Sequence, residues 1–256
     1  MATREGPGPA PVSFGRPPVT EVAIGVQFAA VPNLAGPLAG SLWASWRDDY
    51  PTVTEQPWLS AWPSLDQQGM WVQFGPSVGV RTWFLDASQD NVLQLQNDRL
   101  IANWRRVSGT PYPRYPEVRG RFARAWVDVM ALAKELTGVP PIADQVEVSY
   151  INTVSASPSA ALRGWSDLFG GVDVSDVAAS FSQEVSAAGT NLARATTTVN
   201  ASSQPESPLN LTISVRAAVV DPQDPLSAVD GAHDVIVRRF ATITSLAMHQ
   251  EWEAEA

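Results

Sequence analysis

The chain has no cysteine and two histidines in 256 residues. Disulfides, thiolate zinc sites, iron–sulfur clusters and cysteine nucleophiles are therefore excluded. Two imidazoles leave little scope for histidine chemistry, and no His-x-x-x-His or His-Glu-x-x-His spacing occurs. A Walker loop and a Gly-x-Gly-x-x-Gly fingerprint are also missing. Gly164-Trp165-Ser166-Asp167-Leu168 lacks the second glycine of a nucleophile elbow. Asp173 and Asp176 lack the denser acidic spacing of a calcium loop. The expectation is a protein without catalytic set, metal or cofactor. Basic charge is scarce: 17 Lys+Arg stand against 26 Asp+Glu, a net charge of −9, which disfavours general nucleic-acid binding. Lys134 is the sole lysine. No apolar run approaches the ~18 residues of a membrane span. The first residues, Met1 to Pro11, lack the apolar core of a secretory leader, so a cytoplasmic protein is expected.

What remains is rich in apolar and aromatic residues. Hydrophobic residues make up 45% of the chain and ten are Trp, so a folded core is expected. Residues 1–18, dotted with Pro and Gly, read as a flexible lead-in. Val22, Ile24, Val26 and Phe28 alternate with smaller or polar residues, which predicts a strand. A helix follows over 34–49, carrying Leu38, Leu42, Trp43 and Trp46. Residues 51–68 read as a Pro- and Trp-dotted loop. Three strands are expected at Met70–Phe74, Val80–Asp86 and Val92–Arg106, the last bulged near Asn97-Asp98. A helix over Glu117–Leu136 carries a stripe of Phe122, Trp126, Val129, Leu132, Ala133 and Leu136, closed by Gly138.

The second half repeats this order. A strand ends near Val154, a short helix spans Ser159–Phe169, and strands are expected at Ala178–Ser186, Asn191–Ser202 and Leu209–Val220. The last alternates most cleanly, with Leu209, Leu211, Ile213, Val215 and Ala217 facing one way. A final helix runs over Leu226–Glu253. Aligning Val22 with Val146 carries Leu34 onto Pro158. The fold class read from this is α+β: duplicated βαβββα halves, 19–138 and 139–256, forming one large antiparallel sheet with long helices on one face. Such an arrangement is like the TATA-binding-protein saddle or a helix-grip fold, by analogy of fold alone.

The opposite face is expected to be polar and open, presenting Gln27, Gln94, Gln96, Glu147, Ser149, Thr196, Thr198, Asn210, Thr212, Ser214 and Arg216. Gln94, Gln96, Asp98, Arg99, Asn103 and Arg105 form its densest polar run. Their amides could read a peptide backbone, a base edge or a polar ligand. Alternatively the run is a ladder that fixes strand register, with Asp98 and Arg99 as a local ion pair. Trp58 and Trp62 read as an exposed contact patch, or as a loop folded back over a sheet edge. Arg105, Arg106, Arg114, Arg119, Arg121 and Arg124 are either an anion-binding patch or a solvated helix face. His233 reads as a helix-start residue bonding a nearby loop, and His249 as a cation complementing a helix C-terminus.

Several segments taken together carry a resemblance. They are Pro17-Pro18-Val19-Thr20-Glu21-Val22 with Gln27-Phe28, Arg81-Thr82-Trp83-Phe84, and Gln94-Leu95-Gln96-Asn97-Asp98-Arg99 followed by Asn103-Trp104-Arg105. Tyr112-Pro113-x-Tyr115, Tyr150-Ile151-Asn152, His233-Asp234 to Phe240 and His249-x-x-Trp252 complete the set. This combination resembles a bacterial family of about this length described only as sporadically distributed, and covers most of the chain beyond residue 16. The resemblance brings no activity with it. It implies a mobile accessory gene, of the defence or toxin–antitoxin kind. The functional expectation is a non-enzymatic protein-binding protein acting through the open sheet face and the 51–68 loop, with another protein or itself as partner. The alternative is a small-molecule binder with a cavity between sheet and helix.

Overall fold

In a computed structural model, the structure describes residues 12–36, 38–65, 79–171, 174, 176–202 and 207–255, and every structural statement refers to these. In chain order the elements are β1 (Ser13–Phe14), β2 (Val19–Phe28), α1 (Ala39–Trp46), β3 (Thr52–Pro57), β4 (Val80–Leu85), β5 (Asn91–Gln96), β6 (Arg99–Arg105) and α2 (Tyr115–Thr137). They continue with β7 (Ala143–Val154), α3 (Pro158–Ala161), α4 (Trp165–Leu168), β8 (Val177–Val185), β9 (Ala193–Ala201), β10 (Leu209–Ala218), α5 (Leu226–Ile243), α6 (Leu246–Glu251) and β11 (Ala254–Glu255). Nine strands form one antiparallel sheet in the order β3-β4-β5-β6-β2-β7-β10-β9-β8, and β1 pairs separately with β11. The fold is α+β, with the long helices packed on one face.

Alternation explains this layering. In β2, Val22, Ile24 and Val26 are fully buried beneath the helices, while Ala23, Gly25 and Gln27 point to the other face. In β10, Leu211, Ile213, Val215 and Ala217 are fully buried, as their spacing predicts. Each large apolar side chain so placed contributes about 1.5–3 kcal/mol. The α2 stripe of Phe122, Trp126, Val129 and Ala133 joins them in the core, and Gly138 ends that helix in the left-handed region, its N–H bonding the Lys134 carbonyl.

Several expectations are corrected. The 51–68 segment is not all loop, since Thr52–Pro57 form the edge strand β3 against β4. Five of its six residues are exposed, so it carries no burial alternation to read, and Pro57 is tolerated at an edge. The long strand over 92–106 is a hairpin whose β5 and β6 are linked by Asn97-Asp98 alone, with Gln96 opposite Arg99. That link is tied down by the β2 exit: Val31 N–H bonds the Asn97 carbonyl and Phe28 N–H that of Asp98. The first helix is shorter than its apolar pattern, and Trp43 stays 37% exposed while Trp46 is buried. The Ser159–Phe169 helix divides into α3 and α4 around Gly164 (φ 64°). The final helix breaks at Thr244, which is extended, and Ser245 starts α6 by accepting the Met248 N–H. The strand expected at Met70–Phe74 lies outside the described residues.

Candidate functional site

The polar sheet face is crossed by its own chain, while Asn210 on the same face stays exposed. Leaving β3, residues 58–65 cross the sheet from β5 to β9. That path spans six strands, about 24 Å at ordinary strand spacing, so the segment is nearly extended. Its main chain is what the sheet holds. Gln96 Oε1 accepts the Leu59 N–H at 2.7 Å and its Nε2 donates to the Leu59 carbonyl at 3.2 Å. Arg99 donates to the Ser60 carbonyl at 2.9 Å, and Gln27 Oε1 accepts the Trp62 N–H at 2.7 Å. Arg216 donates to the Pro63 carbonyl at 2.9 Å and Arg194 to that of Leu65 at 3.3 Å. The Trp62 ring lies 4.5 Å from the Arg99 guanidinium. A Cβ on Gly25 would meet that ring at 3.0 Å, so glycine admits the close approach. Trp58 packs likewise on Gly79, where a Cβ would meet its ring at 2.5 Å.

Arg99 is 2% exposed and forms no ion pair with Asp98; Asp98 accepts instead from Gln96 at 3.0 Å. Burial lowers the Arg99 pKa, opposed by the nearby charges of Asp98, Glu147 and Asp144. Burial raises the Glu147 carboxyl, which Arg216 approaches at 3.8 Å. The polar run therefore splits. Gln96, Asp98, Arg99 and Arg216 gather with Trp62 under the crossing segment. Gln94, Asn103 and Arg105 form a second group nearer the β4 side. There Arg81 donates to Gln94 Oε1 at 2.9 Å, Gln94 to Asn103 at 2.6 Å and Asn103 to Glu21 at 2.7 Å. The Arg81 and Arg105 guanidinium groups flank Trp83 at 5.2 and 5.3 Å. This second group is a cross-strand ladder from β4 to β2. The loop tryptophans fold back, over the sheet face and not only its edge.

The six arginines of 105–124 are not gathered in one place: Arg121 and Arg124 line one pocket beside Glu117 and Asp128, and Arg106 and Arg114 border another. Arg114 donates to the Phe14 and Gly15 carbonyls, Arg119 pairs with Asp230 at 2.6 Å, and Arg121 bonds Asn91 and Glu117. Arg105 donates to the Gln89 carbonyl, and Arg106 lies 5.9 Å from the Trp104 ring.

Both histidines are corrected. His249 is buried at 9% exposure, its Nε2 hydrogen-bonded to Thr244 Oγ1 at 2.8 Å, and burial lowers its pKa. It stands in the last turn of α6, as a buried core group whose charged form burial disfavours. His233 bonds no loop. It sits in the second turn of α5, stacked on Tyr115 at 3.6 Å, with Nδ1 3.1 Å from the Tyr150 hydroxyl. Tyr150 in turn meets the Tyr112 hydroxyl at 2.9 Å. Burial drives the His233 pKa to about 4, against the pull of Asp234 and Asp230. It raises Tyr112 to about 12, and Tyr150 well above its ordinary range. These rings line a cavity of about 300 Å³ between β2, β7, α2 and α5, on the helix side of the sheet.

Gln27, Arg194 and the Tyr112–Tyr150–His233 row were not singled out as sites from sequence. Gln27 was legible as a polar residue on the open face, and the tyrosines as parts of a pattern without a role. Among the described residues no cluster of three or more metal-ligating groups occurs, and no helix is long and apolar enough to cross a membrane. The chain matches no family model, no curated protein and no solved structure.

Proposed function

We propose that this is a polypeptide-binding protein whose polar sheet face grips an extended segment by its main chain, and that residues 58–65 are the internal occupant of that groove. The supporting observation is the set of bonds from Gln27, Gln96, Arg99, Arg194 and Arg216 to main-chain atoms of that segment. Side chains that hold backbone accept many sequences, so a partner segment of different sequence can take the same bonds. The reading is non-enzymatic and cytoplasmic. With the family resemblance, it makes the protein a component of a mobile bacterial accessory system. The halves are read as a duplication: β2-β6-β5-β4 and β7-β10-β9-β8 run outward from the central β2–β7 pair in matching order, with β3 as an addition to the first half.

The test replaces 58–65 in the full chain by a Gly/Ser segment about three times as long, which has the slack to leave the sheet, with folding checked by circular dichroism. A synthetic peptide of residues 57–65 should bind this variant with micromolar affinity and the unaltered chain at least tenfold more weakly. Gln96→Leu in the replaced variant should cost at least tenfold. A folded replacement variant that binds neither this peptide nor any member of a displayed linear-peptide library overturns the reading.

A further inference from the structure

The second cavity is independent of the groove, because it lies across the sheet from the crossing segment. Its walls are mainly apolar: Phe14, Val19, Tyr115, Ile236, Val237 and Phe240. At about 300 Å³ it is twice the ~150 Å³ that holds one benzene ring. The hydroxyls of Tyr112 and Tyr150 and the His233 ring form the polar row in its wall. Arg114 and Asp234 also border it, but each is already engaged. Arg114 is bonded to two carbonyls at 2.7 and 2.9 Å, and Asp234 pairs with Arg238 at 3.5 Å. No uncompensated charge faces an occupant.

The row can reverse its direction. With His233 protonated at Nε2, Tyr150 donates to Nδ1 and Tyr112 donates to Tyr150, which leaves the Tyr112 oxygen as a free acceptor. With the proton at Nδ1 the bonds run the other way, and Tyr112 keeps a hydrogen to donate. A single group in the occupant that both donates and accepts satisfies either arrangement, and a hydroxyl is such a group. Arg114 also holds a backbone geometry, φ 77° and ψ 156°, that glycine alone adopts freely. That strained geometry is retained at the cavity mouth, where Arg114 clasps the Phe14 and Gly15 carbonyls.

We infer that this cavity binds a neutral aromatic molecule of two-ring size carrying one hydroxyl, its ring among Phe14, Tyr115 and Phe240 and its hydroxyl on the Tyr112–Tyr150–His233 row. The neutral state of the row supports this: burial keeps both tyrosines protonated and His233 uncharged near neutral pH.

The experiment titrates the full chain with 2-naphthol, naphthalene and 2-naphthoate, read by calorimetry. 2-Naphthol should bind with micromolar affinity, and 2-naphthoate at least tenfold more weakly. Tyr112→Phe, which removes the hydroxyl at the free end of the row, should weaken 2-naphthol at least tenfold and leave naphthalene unchanged, a split that loss of packing alone does not produce. Val237→Trp should fill the cavity and abolish binding of both. Ser13→Trp, at an exposed rim position, serves the same purpose if the first variant fails to fold. The peptide of residues 57–65 should not displace 2-naphthol, which separates this proposal from the groove. Absence of 2-naphthol binding overturns the inference, as does binding unchanged by both tryptophan variants. Tighter binding of 2-naphthoate, lost in Arg114→Gln, overturns it too.

Discussion

Acidification should unlock the α5 end of the aromatic row. His233 titrates at an ordinary 6.5 when unfolded and at about 4 when folded. The groups facing it are Asp230 and Asp234 on its own helix, Tyr115 on α2 and Tyr150 on β7. The two aspartates favour the cation, and burial outweighs them. Because the folded pKa is depressed for a base, the unfolded chain binds more protons between these values. Stability is therefore full above about pH 6.5 and falls as pH drops toward 4. Integrating that linkage from about pH 7.5 to about pH 5 gives a loss of about 2 kcal/mol from this one group. With a urea slope of about 3 kcal/mol/M for a chain this size, the unfolding midpoint moves by about 0.7 M. Other groups contribute as well: His249 in the same direction, and Glu21 and Glu147 in the opposite one, since burial raises their carboxyls. The comparison is therefore with His233→Phe, which keeps a ring on Tyr115. At neutral pH that variant should be about 1 kcal/mol less stable, having lost the Tyr150 bond. At about pH 5 the deficit should vanish or reverse. Parallel loss of stability in both proteins on acidification refutes the assignment of a buried, neutral His233.

Three further perturbations follow from named contacts. Asp90, 3% exposed, accepts the N–H groups of Val107 and Ser108 at 2.9 and 2.7 Å and the hydroxyls of Ser108 and Thr110. Asp90→Ala leaves those donors unmet and should cost about 2–3 kcal/mol in urea unfolding; against burial, those same bonds lower its pKa to about 2, so the contribution is full above the unfolded value of 3.8 and is lost as pH falls through about 2. Trp62→Ala removes the ring from Arg99 at a cost of about 1–2 kcal/mol. Amide exchange at Leu59 should then accelerate roughly tenfold without matching change in the β2 core. Gly231→Ala should destabilise by more than about 3 kcal/mol in thermal unfolding, against the ~1 kcal/mol that alanine normally gains in a helix, because its Cβ would collide with the Ala188 main chain.

What could be read from sequence follows from where burial leaves a period. β2 and β10 are half-buried, so Val22/Ile24/Val26 and Leu211/Ile213/Val215 announce both strand and face. The α2 stripe and Gly138 do the same for a helix. β3 is exposed on both sides and carries no such signal, and the break between α5 and α6 rests on Thr244 and Ser245 alone. Gln94, Gln96, Arg99 and Asn103 were legible as a polar constellation because a strand with amides on one face is unusual. Their occupant was not legible. Leu59 to Leu65 has no periodicity of its own and takes its shape from the bonds the sheet offers. The aromatic row was illegible for a different reason. Tyr112, Tyr150 and His233 come from a loop, a strand and a helix, with 38 and 83 residues separating the bonded pairs.

An internal occupant changes what a partner must supply. The crossing segment makes six main-chain contacts, each worth about 0.5–1.5 kcal/mol net, and its release lets water solvate Gln27, Gln96 and Arg216. Lifting it therefore costs about 3–9 kcal/mol, and it competes at the effective concentration of a short tether, in the millimolar range. A partner that reproduces the main-chain bonds and nothing more gains no advantage over that tether. The surplus has to come from side chains, and the place where the segment invests one is the Trp62 ring on Arg99. Arg99 is buried, and its Nε has no hydrogen-bond partner. A partner that lifts the segment without an aromatic residue at that point leaves the guanidinium without its ring contact. The proposed partner segment is therefore extended, with an aromatic side chain flanked by residues that leave their backbone groups free. In the segment-replaced chain, a 57–65 peptide with alanine at the Trp62 position should bind about tenfold more weakly than the parent. Equal affinity for the two peptides would mean that main-chain bonds alone set recognition and that the Arg99–Trp62 contact selects nothing.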